Sequence, residues 1–452
     1  MKVQLIQPVI AKYRQKKAVK WVTPPLGLAM LAALSPDVEY SVTDEAIDNI
    51  DFEKHFDLVG IRTDTCVSSR AYQIADVFRD RGIKVVLGGP HPSLCPEEAI
   101  QHADAVVVGE AEGIWQRLLR DCEQNKLERI YRLNEPLNLA GLPLPRRDIF
   151  NKSNYLFLNT IFATRGCSYS CSFCSIGALW GNGIRTRPID EILHEVETLE
   201  GNTMFFIDDN LVGNPEFAKE LFRALIPYKK KWGCQATLTI ARDEELLRVA
   251  AESGCIAVSA GFESASAANL AYIDKNSNIV EEYEENVKII HSYGIAIQGS
   301  FIFGLDHDDP GVFQQTVRLA QRLKLEAAWF APLHAYPGTS LFSSMEKEGR
   351  ILSRDWSKFT DAPGWVNFEP KLISAREMEA GVRYAWKKFY GFISIWKRMG
   401  IKGRNRRLFW LVNLGLRYYS TPIGSKLRLL QRVFNLFLEL AKMVSARLGK
   451  RD

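Results

Sequence analysis

Three cysteines within eight residues carry the most sharply defined chemistry of this 452-residue sequence: Arg165-Gly166-Cys167-Ser168-Tyr169-Ser170-Cys171-Ser172-Phe173-Cys174. Thiolates at this spacing can wrap one face of a metal cluster, and Gly166 lets the backbone turn close to it. Iron–sulfur cubanes normally take four thiolates. Three leave one iron open to a non-protein ligand, as in a catalytic metal site that keeps a vacant position. A zinc knuckle or a set of inert buried thiols are the alternatives. Zinc needs a fourth ligand nearby, and the next candidate is His194. The other cysteines, Cys66, Cys95, Cys122, Cys234 and Cys255, read as small buried hydrophobes. Cys66 and Cys95 fall near a ligand-binding edge.

Elements that would position these groups follow from the patterning. VQLIQPV (3–9), VEYSVTD (38–44), LVGIR (58–62), KVVLGG (84–89) and AVVVG (105–109) read as strands, with helical patterns over 26–34, 70–81 and 112–122. Strands alternating with helices predict a parallel, doubly wound, Rossmann-like sheet. Ligands bind such sheets beyond the strand carboxyl ends. Those ends carry Thr63–Thr65 with Ser68, then Gly88-Gly89-Pro90-His91, then Gly109-Glu110. A proline-punctuated linker follows. A second series has strands at 157–165, 204–209, 236–241, 257–263, 297–304 and 327–335, enough for a partial (β/α)6 barrel with its chemistry at the strand carboxyl ends. The cysteines come directly after its first strand. The expected organisation is therefore α/β: a doubly wound domain over 1–132, a linker over 133–156, the partial barrel over 157–340, and a helical C-terminal region over 341–452.

The cysteine spacing, with the aromatic Phe173 before the third thiol, resembles the radical S-adenosylmethionine (SAM) superfamily. The resemblance implies a [4Fe–4S] cluster on Cys167, Cys171 and Cys174, and an open iron that chelates SAM. Reductive cleavage to methionine and a 5′-deoxyadenosyl radical follows, with a reduced flavodoxin- or ferredoxin-like electron donor. It also implies SAM contacts from Asp208 and Asp209 after the second barrel strand, where acids replace the commoner Gly-Gly-Glu. Glu263 in Gly261-Phe262-Glu263-Ser264 would be an acceptor, Ile302 and Gly304 would pack on adenine, and Pro337-Gly338 would form a turn beside it. Bland readings stay open. Asp208 and Asp209 could cap the helix near Asn214 and Pro215, Glu263 could be a surface acid, and the glycines ordinary turns.

A doubly wound domain ahead of such a barrel resembles the cobalamin-binding radical SAM class, over roughly residues 1–397. This implies cobalamin beside Thr65, Ser68, Gly88, Gly89, His91, Gly109 and Glu110. A DxHxxG motif is absent, so no lower ligand to cobalt is expected. The class implies methyl transfer to an unactivated carbon, with radical cyclisation or oxidation as the alternative. An iron–sulfur or corrin carrier that never cleaves SAM is the reading outside enzymes, and a first domain that binds nothing is the alternative to cobalamin binding.

Composition sets the remaining bounds. Hydrophobic residues at 46% and charged residues at 25% describe a folded chain. Neither a secretory signal nor a membrane span is expected, and a cytoplasmic location is. Residues 397–452 hold fourteen Lys/Arg against two acids, +12, which leaves the rest at −7 of the overall +5. Within this tail, 404–419 mixes basic and aromatic residues, and 427–444 spaces apolar residues helically. A basic amphipathic tail suits the inner face of a membrane; a helical lid is the equal alternative. A membrane-lying tail would suit a hydrophobic small molecule, such as a polyprenoid, a hopanoid-like lipid or a tetrapyrrole. The acidic body argues against nucleic acid.

Overall fold

The computed structural model describes residues 1–10, 23–151, 155, 159–181, 183–359, 366–398 and 406–420. Arg404 and the expected amphipathic stretch 427–444 lie outside them. By packing, the chain forms two compact units: Met1–Val196 with His334–Thr360, and Glu197–Leu333 with Asp361–Asp452.

In the first unit, β1 (Lys2–Gln7), β2 (Glu39–Asp44), β3 (Leu58–Arg62), β4 (Lys84–Gly88), β5 (Ala105–Val108) and β6 (Ile130–Arg132) form a wholly parallel sheet in the order β2-β1-β3-β4-β5-β6. β3 and β5 are near-continuous buried apolar runs, as expected of strands covered on both faces. One face packs Val59, Ile61, Phe78 and Val85; the other packs Leu58, Val86, Trp115 and Tyr131. The strand order reverses between β1 and β3, which makes their carboxyl ends the ligand-binding crevice of this topology. Thr65 and Ser68 stand there, at the start of helix Ser68–Asp80.

The expected strand 157–165 is interrupted. β7 is only Thr160–Ile161; β8 (Thr164–Cys167) instead pairs antiparallel with β9 (Gly183–Thr186), a strand absent from the sequence reading. The hairpin wins because the cysteine loop must double back, and β9 supplies its return arm.

In the second unit, β10 (Thr203–Phe206), β11 (Lys231–Gln235), β12 (Cys255–Glu263), β13 (Ala296–Phe303) and β14 (Ala327–Pro332) run parallel, neighbour to neighbour, with helices between them. They make the larger part of a partial β/α barrel. One strand differs from expectation. The β-branched run 236–241 is not a strand, since Leu238–Arg242 winds into a 3₁₀ turn, and the strand is the preceding Lys231–Gln235. Trp232, with its ring buried and its indole N–H donating to the Ser253 carbonyl at 3.1 Å, fixes that register.

Helix Ala375–Phe389, started by a Ser374/Glu377 capping box, covers β14: the Trp386 indole donates to the Phe330 carbonyl at 2.7 Å and the Tyr390 hydroxyl to Ala328 at 2.7 Å. Arg398 ends the next helix, Phe392–Arg398. Its buried guanidinium donates to the carbonyls of Leu325 (2.7 Å), Glu326 (3.1 Å) and Phe389 (3.2 Å) and to Asn413 Oδ1 (2.8 Å), 3.7 Å from the Phe389 ring centroid. Burial lowers its pKa to about 10. Among the described residues no helix is long and apolar enough to cross a membrane. Arg398→Leu leaves several carbonyls unpaired and should cost about 3 kcal/mol of unfolding free energy. Denaturant titration checks this, with Arg398→Lys recovering only part, because an ammonium lacks the planar fork.

Candidate functional site

Gly166, at φ +95, lies where a Cβ would come within 2.4 Å of the Gly183 carbonyl, so the β8–β9 hairpin closes only around glycine. The flanking Arg165 donates to Glu110 Oε1 at 2.6 Å and to Glu112 Oε1 at 2.7 Å, and lies over the rings of Phe162 and Trp180. From the other arm, Arg185 donates to both oxygens of Glu110 at 2.9 Å. Burial opposes ionisation of Glu110, but the Leu137 N–H and the two guanidiniums outweigh it and hold the carboxyl below its ordinary range. Glu110, expected at the cobalamin edge, is thus placed as the anchor of the cysteine hairpin.

Cys167, Cys171 and Cys174 are half-buried thiols, none in a disulfide. The Cys174 N–H donates to the Cys171 carbonyl at 3.0 Å, tightening the loop ahead of helix Ser175–Trp180. Three soft thiolates on one short loop suit an iron–sulfur cluster whose remaining iron stays open to another ligand.

Within the same unit the Tyr336–Thr339 turn reaches this loop. Thr339 caps helix Ser340–Lys347, and Leu341 N and Ser340 Oγ donate to the Ser172 carbonyl at 3.1 and 3.3 Å. A Cβ on Gly338 would stand 2.9 Å from Leu94 and 3.8 Å from Ala178. Pro337-Gly338, the Phe173 loop and the helix after Gly88-Gly89 are therefore brought together.

At the first sheet's carboxyl edge, Thr65 and Ser68 are buried, and the Ser68 hydroxyl has no hydrogen-bond partner among the described residues. The Gly88 carbonyl accepts from Thr63 N at 2.8 Å. Ser93 Oγ links Gly89 and Gly109, donating to one carbonyl at 2.8 Å and accepting from the other amide at 2.9 Å. A buried hydroxyl without a partner, at the crevice of this sheet topology, is a polar atom that a bound cofactor could satisfy. His91 is fully buried with Nε2 3.2 Å from Glu98.

In the second unit, Asp208 and Asp209 follow β10, and Asp208 is buried. They do not cap the next helix; Asn214 does, accepting from Phe217 N at 3.2 Å. Glu263 is no surface acid. It is buried, paired with Lys275 at 3.2 Å, and held at φ +61, an unusual conformation for a side-chain-bearing residue. Its carboxylate folds back so far that a Cβ on Gly261 would lie 2.0 Å from it. Asn278 Nδ2 and the Tyr283 hydroxyl donate to the Phe262 carbonyl at 3.0 and 2.7 Å, fixing the bulge. After β13, the amides of Gly304 and Leu305 donate to Asp308 at 2.8 and 3.1 Å, and Asn269 Nδ2 donates at 2.7 Å. Burial pushes the Asp308 carboxyl up to about 6. Ile302, half-buried, pairs in register with Ala331. Sequence reasoning missed Lys275, Asn278, Tyr283 and Asp308; their signal is three-dimensional, apart from the Asx-rich stretch after each motif.

Comparisons with known proteins agree with this geometry. Residues 161–320 match the radical SAM superfamily and residues 17–119 the B12-binding domain. The chain is 30% identical over 422 residues to bacteriochlorophyllide d C-12(1)-methyltransferase of Chlorobaculum tepidum, covering 90% of this chain and 91% of the relative. It is 29% identical to the hopanoid C-2 methylase of Rhodopseudomonas palustris, covering 74% and 66%. The fold is shared with TsrM of Kitasatospora setae, a radical SAM methyltransferase solved with cobalamin and a [4Fe–4S] cluster, at TM-score 0.66 and 16% identity over 97% and 99% of the two chains. Protein purified without oxygen should carry about four irons per chain. Cys174→Ala should lose both the iron and its visible absorbance; zinc in that place, or iron retained by the variant, contradicts the assignment.

Proposed function

From the premise that this chain belongs to the cobalamin-binding radical SAM methyltransferases, we propose that it methylates an unactivated carbon of a tetrapyrrole. The observation that carries the substrate class is the near end-to-end similarity to a bacteriochlorophyllide methyltransferase, against 66% of a hopanoid enzyme. When bound, the cluster supplies the electron that cleaves SAM, and cobalamin supplies the methyl group. The protein's share is to hold and orient. Cys167, Cys171 and Cys174 hold the cluster, with Phe173, Pro337 and Gly338 beside SAM in the first unit. Asp208, Asp209, Glu263, Ile302 and Gly304 are SAM contacts of the second. Thr65, Ser68, Gly88, Gly89, His91, Gly109 and Glu110 are the residues assigned to the cobalamin edge. The functional division runs 1–132, 133–156, 157–340 and 341–452.

Two further readings belong to this proposal. The external reductant is a small reduced flavodoxin- or ferredoxin-like protein. The enzyme is cytoplasmic and touches the membrane through its C-terminal region. Support comes from helix Phe392–Arg398, where Phe392, Ile393 and Trp396 are 60%, 74% and 67% exposed. Arg417 lies 4.1 Å from the Phe392 ring centroid, and the +12 tail begins at Lys397. Aromatic and basic groups together suit an anionic lipid interface.

Reduced, reconstituted enzyme given SAM and a chlorin carboxylate should yield 5′-deoxyadenosine, S-adenosylhomocysteine and a product heavier by one CH₂. Methylation of a hopanoid instead would move the substrate class, and a product that lost hydrogen without gaining carbon would mark cyclisation or oxidation. Glu263→Gln should weaken SAM binding about tenfold, or ~1.4 kcal/mol, with iron content unchanged. For the membrane contact, Phe392→Ser with Trp396→Ser should abolish co-sedimentation with anionic vesicles; undiminished binding would place the contact elsewhere.

A further inference from the structure

The close grouping of His91, Cys95 and Glu98 invites a metal ion, but the carboxylate is already taken. Glu98 Oε1 accepts from the Tyr72 hydroxyl at 3.0 Å and from the Trp356 indole at 2.9 Å, and lies 3.2 Å from His91 Nε2; Oε2 accepts from the same indole at 3.0 Å. Burial opposes its charge, yet these donors outweigh burial and hold the carboxyl below its ordinary range. Burial meanwhile pushes the Cys95 thiol up to about 11, so it stands neutral beside them. A carboxylate satisfied by three side chains is a hub and not a vacant ligand set.

What the hub joins matters more than its composition. Tyr72 comes from the helix after β3, the first sheet's binding edge. His91 ends the Gly88-Gly89-Pro90-His91 turn. Trp356 comes from His334–Thr360, the segment that also carries Tyr336-Pro337-Gly338-Thr339. This segment is clamped twice. Trp356 meets the His91 ring edge-on at 5.3 Å, and an aromatic run continues through Phe359 (5.0 Å) to Tyr336 (5.9 Å). At its other end Gly338 lies against Leu94, three residues past His91, and Leu341 donates to Ser172 in the cysteine loop.

We propose that Glu98 is a positioning residue that couples the turn assigned to cobalamin to the turn assigned to SAM, so that filling either site tightens the other. The inference rests on the cofactor reading of the proposed function. A ligand that orders the Gly88–His91 turn orders Trp356 through the shared carboxylate, and with it the turn at Gly338. The second ligand then finds that ordering already done, and linkage makes the effect mutual.

The test uses the full-length, cluster-reconstituted protein, with and without cobalamin. SAM is titrated while the electron paramagnetic resonance signal of the reduced cluster is followed. In the wild type, cobalamin should lower the SAM Kd at least about fivefold. Glu98→Gln and Trp356→Phe should shrink that ratio to within about twofold while iron and cobalamin contents hold, and Tyr72→Phe, which removes one donor of three, should fall between. A wild-type ratio near one overturns the proposal whether or not the variants fold, and so does a ratio left intact in Glu98→Gln. Stoichiometric zinc beyond the cluster, lost in Cys95→Ser, would replace the hub by a metal site. Failure of the wild type to bind cobalamin or SAM at all sinks the functional reading and this inference together.

Discussion

The buried carboxylate of Glu110, gripped by Arg165 and Arg185, is the constraint on which the first unit depends. Neither arm of the β8–β9 hairpin belongs to the six-stranded sheet, and the hairpin is too short to be stable alone. Two guanidiniums, one on each arm, tie it to the carboxyl end of β5. Taking three charges out of water is costly, and replacing such a cluster by apolar groups can be neutral. Apolar groups would not fix the hairpin's direction, whereas a charge-assisted hydrogen bond from each arm does. Removing one partner strands the rest, at about 3–5 kcal/mol. That asymmetry makes the cluster a device for orientation more than for stability.

The second unit solves the same problem by other means. Its strand ends are held by acids and amides that grip backbone. Asp308 collects the amides after β13, Asn278 and Tyr283 hold the Phe262 carbonyl at the end of β12, and Asn214 caps the helix after β10. The bulge between Gly261 and Glu263 puts a glutamate at positive φ, a cost of order 1–3 kcal/mol that persists only where surroundings over-determine it. Lys275 and the Asn278–Tyr283 pair are those surroundings. The strain sits at the strand end where a β/α barrel keeps its chemistry.

Much of this was legible in the residues. LVGIR and LGLAMLAAL match their elements residue for residue, because continuous apolar runs bounded by turns leave little choice of period. The radical SAM family was legible from the cysteine spacing taken together with Phe173 and the loop's place after the first barrel strand. Elsewhere local signals misled. ATLTIA looks like a strand by β-branching, yet the preceding KWGCQ buries its tryptophan and takes the ladder. The roles of Glu110 and Glu98 were invisible for a different reason. The guanidiniums on Glu110 lie 55 and 75 residues away, and the Trp356 indole on Glu98 lies 258 away. No periodicity reports a contact of that range.

Those long-range partners explain why Glu110, which reads as a candidate ligand, serves as a joint, as Glu98 does. Glu110 and Glu98 each face three donors, and each sits where two segments must keep a fixed distance. Such a joint transmits position without itself reacting. Chemistry that belongs to bound cofactors asks this of a protein: few reactive side chains, and rigid control of where the cofactors stand. The Ser68 hydroxyl has no hydrogen-bond partner among the described residues, while the carboxylates of Glu110 and Glu98 are spent on geometry. These two acids of the first unit, Glu110 and Glu98, are best understood by what they hold still.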